Sequence, residues 1–282
     1  QTAIFFKQRK TFTIGVIIPD LSEPFFSSAI SEIENVAGEF KYTVLMGQSH
    51  DDAARELQIL QTFKKHRVDG VLMSLGKNTE DLSLIQLLEE SEIPVVFFDC
   101  VPNVPGVHKV SSNLASGMIQ AIDAFASRGH KNIALINGPE SLLGSRERVE
   151  AYKEALLAKG LPYEDKYVVH TDLTELGNEE AIEHLLAVKE RPSAIVSFND
   201  FVTLDVMKYA RQKGVIPNQD IFLISYANYP LWKYMENPPM GSVEQHPDKQ
   251  ARKAAEILFE VLNTKEDVEP QHVVFESNLV LK

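Results

Sequence analysis

The sequence predicts an α/β protein built as two doubly wound lobes, each around a parallel sheet. Three observations carry this. Short apolar runs alternate with amphipathic stretches of helical period, which is the pattern of strand–helix–strand crossovers. The alternation restarts after residue 113, so a second sheet follows the first. Polar groups collect where the apolar runs end, the rim at which open parallel sheets hold ligands.

The elements follow in order. "IGVII" is a buried strand, and Pro19-Asp20 turns the chain out of it. Pro24 then opens a helix with Phe25 and Phe26 at its mouth, and Phe26, Ala29, Ile30, Ile33, Val36, Ala37 and Phe40 recur at helical spacing. "YTVLM", "DGVLMSL" and "PVVFF" are the next strands, separated by the helical stretches "AARELQILQTFKKH" and "EDLSLIQLLEESE". After the restart come the helix "ASGMIQAIDAFASRG", the strands "NIALING", "YVVHTD", "SAIVSFND" and "IFLISYAN", and the helix "VTLDVMKYARQKG". Arg128-Gly129, Lys159-Gly160 and Lys213-Gly214 each place a cation in a last helical turn and a glycine just beyond it. The strand ends carry Asp20, Gln48, Ser74, Asp99, Asn137, Asp172, Asn199, Asp200, Tyr226 and Asn228. One such residue only marks where a strand leaves the core. Their recurrence in both halves points to a polar cleft between two lobes.

Composition bounds the function. The chain has 282 residues, 44% hydrophobic and 24% charged, which fits about two globular domains. No apolar run reaches the roughly 18 residues that a membrane span needs, and the first residues lack a secretory pattern. The single cysteine, Cys100, excludes an internal disulfide and fits a reducing, cytoplasmic setting. A net charge of −12 argues against the body of the chain gripping nucleic acid, although Lys7, Arg9 and Lys10 make the first residues basic. No catalytic constellation is present. The eight histidines form no metal-ligand spacing, and there is no nucleophile elbow, Walker loop or dinucleotide fingerprint. Cys100 reads as a small buried hydrophobe, and Glu89-Glu90 and Glu179-Glu180 as solvated helix faces. The expectation is a two-lobed binding protein, not an enzyme, with no cofactor and no metal.

Four segments resemble the effector-binding core of the LacI/GalR family of bacterial transcription regulators. They are "IGVIIPDLSEPFFSSAISEIE", "ASRGHKNIALINGPESLLGSRERVEAYKEALLAKGL", "PSAIVSFNDFVTLDVMKYARQKGVIPNQDIFLISYAN" and "PPMGSVEQHPDKQARKAAEILFEVL". Their order and spacing hold over nearly the whole chain. The resemblance implies a periplasmic-binding-protein-like fold with three crossover strands, an N-lobe of residues 12–113 plus 246–275, and a C-lobe of 114–245 plus 276–282. It implies that residues 1–11 are the end of a hinge helix and linker to a helix-turn-helix domain, with Ala3 and Phe6 at hinge positions. Phe6 stands where the family has a minor-groove leucine, and Ile4 where arginine is common. It also implies a homodimer on operator DNA, with 24–40 and 53–66 contributing to the N-lobe interface. Operator binding is expected of the intact protein only.

The residues and the resemblance together nominate an effector site. Phe25 and Phe26 would offer apolar faces to a sugar or, less favourably, a purine. Ser74 and Asp99 from the N-lobe, with Arg148, Asn199 and Asn228 from the C-lobe, would fix its orientation. Arg148 stands where the family places an effector-reaching arginine; its structural alternative is a helix salt bridge to Glu147 or Glu150. Ala227 replaces an aspartate common in the family, so Asn228, Tyr229 or Trp232 is expected to substitute. Ser112-Asn113 stands where Asp-Asn is frequent, and Glu150-Ala151 where glycine is common before Tyr152. A transport-type sugar-binding protein of the same bilobed fold is the alternative.

Overall fold

Strand β1 (Thr13–Ile18) is apolar and almost wholly buried, as a central parallel strand covered on both faces must be. The computed structural model describes residues 10–77, 79, 83–264 and 266–282. The expectations for Ala3, Ile4 and Phe6 lie outside the described residues. Helix α1 (Pro24–Glu39) starts with proline in its first turn, where the missing N–H costs nothing, and buries Phe25, Phe26, Ala29, Ile33, Val36 and Ala37. Strand β2 (Thr43–Gln48) pairs parallel to β1. Helix α2 (Ala53–His66) is capped by Asp52, whose carboxylate accepts from the backbone N–H of Ala54 at 2.8 Å and Arg55 at 3.2 Å. It ends at Arg67 in the left-handed region, φ 55°. A Cβ on Gly15 would come within 2.3 Å of the Phe63 ring, so β1 needs glycine where α2 crosses it.

Strand β3 (Gly70–Met73), helix α3 (Ser83–Glu90), strand β4 (Val95–Phe98) and strand β5 (His108–Asn113) continue the first sheet. Strand β11 (His272–Glu276) joins it late, giving the order β11-β5-β4-β3-β1-β2. Ile17, Leu60, Phe63, Val71, Met73, Leu84, Leu88 and Phe97 form a core on one face. Helix α8 (Pro247–Asn263) packs beside α1.

The second sheet repeats the plan. Helix α4 (Leu114–Ala126), strand β6 (Ile133–Asn137), helix α5 (Leu143–Ala158), strand β7 (Val168–His170), helix α6 (Glu175–Ala187), strand β8 (Ala194–Ser197), helix α7 (Asp200–Gln212), strand β9 (Phe222–Tyr226) and strand β10 (Gly241–Glu244) follow in turn. Strand β12 (Asn278–Leu281) pairs antiparallel to β10, and the order is β12-β10-β9-β8-β6-β7. Met118, Ile122, Phe125, Leu135, Tyr152, Leu156, Val196, Ile224 and Val243 form its core. Both sheets are parallel apart from this last strand where pairing directions are known, as the sequence predicts. The glycines after α4, α5 and α7 (Gly129, Gly160 and Gly214) all have positive φ, as their positions after Arg128, Lys159 and Lys213 require.

The chain divides into two units, the first made of residues up to Ser112 plus His246–Phe275, the second of Asn113–Gln245 plus Glu276–Lys282. It therefore passes from one to the other three times. In each unit the strand order reverses beside the first strand, between β1 and β3 and between β6 and β8. Such a reversal opens a crevice at the carboxyl ends of the strands.

Candidate effector site

In the second unit the reversal point is occupied by Arg148 on α5. Its guanidinium lies between two aromatic faces, 4.4 Å from the Phe198 ring centroid and 4.5 Å from that of Tyr226. Nη1 donates to the Gly144 carbonyl at 3.2 Å and Nη2 to that of Phe198 at 3.4 Å. Arginine is the cation that can stack this way, being planar and weakly hydrated. It is 5% exposed. Glu150, one of the two acids expected to compete for it, lies 3.7 Å from Lys153. Burial raises the Glu147 carboxyl above its ordinary range, against the pull of Arg148. Gly138, at the end of β6, makes room for Phe198: a Cβ there would lie 2.6 Å from the ring.

The neighbouring strand ends are held by a buried carboxylate. Asp200 is fully buried and accepts from the hydroxyls of Ser225 and Ser242, the latter at 2.8 Å, and from the Tyr229 backbone N–H. It thus ties α7 to β9, β10 and the turn that follows β9. Burial raises its carboxyl above the ordinary range, and the donors around it oppose that rise. Asn199 caps α7, its side-chain oxygen accepting from the Val202 N–H at 3.0 Å. Ala227 and Asn228 both have positive φ, at 94° and 54°. The Asn228 amide donates to Glu244 at 2.8 Å, and its oxygen accepts from Lys282. Trp232, in the 3₁₀ turn Pro230–Tyr234, is 1% exposed and belongs to the interior.

In the first unit Ser74 ends β3 and Asp99 ends β4. The Ser74 hydroxyl is 3.5 Å from an Asp99 oxygen, and Asp99 has φ 60°. Beside them Lys77 bridges Glu23 at 3.2 Å and Asp51 at 3.4 Å. Burial works against the Lys77 charge, but Glu23 and Asp51 outweigh it and hold the ammonium above lysine's usual range. Glu56 is buried and accepts from Thr79 at 2.7 Å and from the Gly76 N–H; burial raises its carboxyl. Phe25 and Phe26 are both buried, edge to face with centroids 5.2 Å apart. The structure thus brings Ser74 and Asp99 together in one unit. In the other, Asn228 shares the Asp200-held turn with Trp232, and Arg148 and Asn199 flank Phe198. Among the described residues no group of three or more His, Cys, Asp or Glu is placed to hold a metal ion, and no helix is long and apolar enough to cross a membrane.

A family model, "Periplasmic binding proteins and sugar binding domain of LacI family", matches residues 11–278. The chain belongs to the LacI family. Catabolite control protein A of Priestia megaterium is 32% identical to it over 262 residues, spanning 93% of this chain and 78% of that protein. The HTH-type transcriptional repressor PurR of Photobacterium profundum is 28% identical over 272 residues, 96% of this chain and 80% of that protein. Among solved structures, the transcription regulator CcpA of Lactococcus lactis superposes with a TM-score of 0.86 at 25% identity, covering 95% and 97% of the two chains. A complex of the transcriptional regulator CelR with cellobiose superposes at 0.85 with 27% identity, covering 96% and 84%. This LacI-family chain is thus an effector-binding core of the kind found in transcriptional repressors, which are not enzymes.

Two positions beside the departures from the LacI-family pattern have plain structural uses. Asn113 caps α4, accepting from Ala115 at 3.2 Å, and its amide donates to both oxygens of Glu276 at 3.1 and 3.0 Å. Ala151 is buried in the second core. Sequence reasoning named Arg148 but not its aromatic partner Phe198, nor the anchoring role of Asp200. It also passed over Phe201, a 39%-exposed ring packed edge to face on Tyr229 at 5.1 Å. The adjacent "FNDF" was the available signal, because aromatics flanking a helix cap at a strand end stand at the rim.

Proposed function

We propose that this LacI-family core binds an uncharged sugar at the carboxyl ends of its strands and that this binding modulates operator affinity. The observation that carries the reading is Arg148 held between Phe198 and Tyr226 at the reversal point of the second sheet. A stacked guanidinium holds its N–H groups in a fixed fork, a geometry that suits vicinal hydroxyls. Asp99 and Ser74 supply acceptors from the first unit, and Asn199 and Asn228 amides from the second. A ligand that draws on both sets favours one arrangement of the units by its differential contacts, which is what an effector must do. Trp232 and the Phe25–Phe26 pair support this site from inside by packing. The similarity to CelR, solved with cellobiose, favours a sugar; PurR-like relatives make a purine base the second reading.

The protein acts as a homodimer in the cytoplasm, where its operator lies, since a two-fold protein matches two half-sites. Helices α1 and α2 contribute to the pairing. Calorimetric titration with cellobiose, ribose and glucose, against hypoxanthine and guanine, tests the ligand class. Saturable binding of a sugar with no heat from either base supports it. Binding of a base alone transfers the site to purines. Sedimentation at micromolar protein tests the dimer, and a monomer mass for the full-length protein contradicts it.

A further inference from the structure

The chain carries a net charge of −12, yet several of its cations gather at one end of the first unit. Lys10, Lys41, Lys64, Lys65 and Arg67 come from three separate segments. The backbone ties these segments together at the amino ends of β1 and β2. The Thr11 hydroxyl donates to the Arg67 carbonyl at 2.8 Å, the Thr43 N–H to the Phe12 carbonyl at 2.9 Å, and the Phe12 and Tyr42 rings lie 5.3 Å apart. Lys41, Lys64, Lys65 and Arg67 are exposed, and Lys10 is half-buried.

Helix ends attract cations, and three helices finish here, so the dipole explains why lysines are tolerated. It does not use up their charge. Only Lys10 donates to a helix end, at 2.9 Å from the Leu262 carbonyl. The other four make no side-chain hydrogen bond or ion pair among the described residues. Asp69, two residues after Arg67, is turned onto the backbone, accepting from the N–H groups of Thr11 and Phe12 at 2.9 Å each. Glu39 is drawn to Arg252 at 3.6 Å. The acids Glu89, Glu90 and Glu92 lie toward β4, on the other half of the sheet, while Glu260, Glu266, Asp267 and Glu269 lie at and beyond the end of α8 on the side of Lys10, so the cationic part of the face is Lys41, Lys64, Lys65 and Arg67.

We propose that this face of the core contacts the phosphate backbone of DNA, adding a sequence-independent grip to whatever reads the operator. It rests on the family reading of the chain as part of a DNA-binding regulator. The charge is complementary to a polyanion and opposite to that of the chain as a whole. Each neutralised phosphate releases counterions, so each contact steepens the fall of affinity with salt by about 0.9 in log–log slope.

The test uses the full-length protein and a fluorescein-labelled random-sequence duplex of about 30 base pairs, with anisotropy followed between about 50 and 200 mM salt. The variant Lys64→Gln/Lys65→Gln/Arg67→Gln is compared with a charge-matched control, Lys131→Gln/Lys189→Gln/Arg191→Gln, on positions of the second unit. The expected result is a slope shallower by about 2–3 in the first variant and a near-parental slope in the control. An unchanged slope in the first variant, or equal loss in both, overturns the proposal. Equal loss means a general charge effect. An unchanged slope with altered binding of an acidic protein assigns the face to that partner instead. If the parent binds no duplex at all, the DNA-regulator reading falls with it, an outcome distinct from loss of the patch alone.

Discussion

Replacing Asp200 should loosen the rim of the second unit before it unfolds the protein. The carboxylate holds three donors from three separate places in the chain: Ser225, Ser242 and the Tyr229 N–H. In Asp200→Ala the two hydroxyls, 3.1 Å apart, can pair with each other. The Tyr229 N–H loses this acceptor too, and a buried donor deprived of its acceptor costs about 1–3 kcal/mol. Losing the charge-assisted bonds adds a similar amount, partly offset because a buried charge no longer has to be desolvated. The net expectation is a loss of about 3 kcal/mol for Asp200→Ala and about 1–2 kcal/mol for Asp200→Asn, which keeps one acceptor. Trp232 is the only tryptophan and lies in the turn that Asp200 anchors, so its emission reports on this unit directly. Urea titration should show the lower midpoint, and Asp200→Ala should emit to the red of the parent even without urea. Burial raises the Asp200 carboxyl above the ordinary aspartate range, so the folded protein holds that proton more tightly than the unfolded chain does. Its contribution is therefore largest at low pH and declines as pH rises through the folded pKa. The parent's advantage over Asp200→Asn should narrow accordingly. A loss below about 0.5 kcal/mol in Asp200→Ala, with unshifted emission, would refute the anchoring role.

Two further outcomes follow from the site. Gly138→Ala places a Cβ 2.6 Å from Phe198, so the ring must move off Arg148; about 1–3 kcal/mol of stability and most effector affinity should be lost, measured by urea titration and calorimetry. Burial, with help from Asp99, pushes the Cys100 thiol up to about 12, so the native protein should react with an aromatic disulfide reagent at a pH of about 8 roughly a thousandfold more slowly than the urea-unfolded chain.

Much of the fold was legible because central parallel strands are apolar on both faces and stand out as runs: "IGVII", "PVVFF" and "NIALI" correspond to β1, β4 and β6. The edge strands β2 and β7 were legible as well, as "YTVLM" and "YVVHTD", but β5, β10, β11 and β12 were not. "HKVSSN", "GSVE", "HVVFE" and "NLVL" are short and mixed in polarity, because each has a side or edge that need not be apolar. The return of α8 to the first unit came from the family likeness, since no local period records which sheet a helix covers. At the site, residue type at the strand ends pointed to Asp99 and Ser74 as rim groups, and the family likeness to Arg148. It could not give the Arg148 sandwich, whose aromatic partners lie far along the sequence on two other strand ends. Nor could it tell that Trp232 would be interior while Phe201 would be exposed, because both sit in similar polar surroundings in the sequence.

The most direct test of the account is calorimetric titration of Arg148→Lys and Arg148→Ala beside the parent, using whichever sugar the parent binds, with melting curves to show that each variant is folded. Lysine keeps the charge but loses the planar stack between Phe198 and Tyr226. The account predicts that both substitutions weaken binding at least about tenfold, with alanine the worse. Parental affinity in folded Arg148→Ala would contradict it.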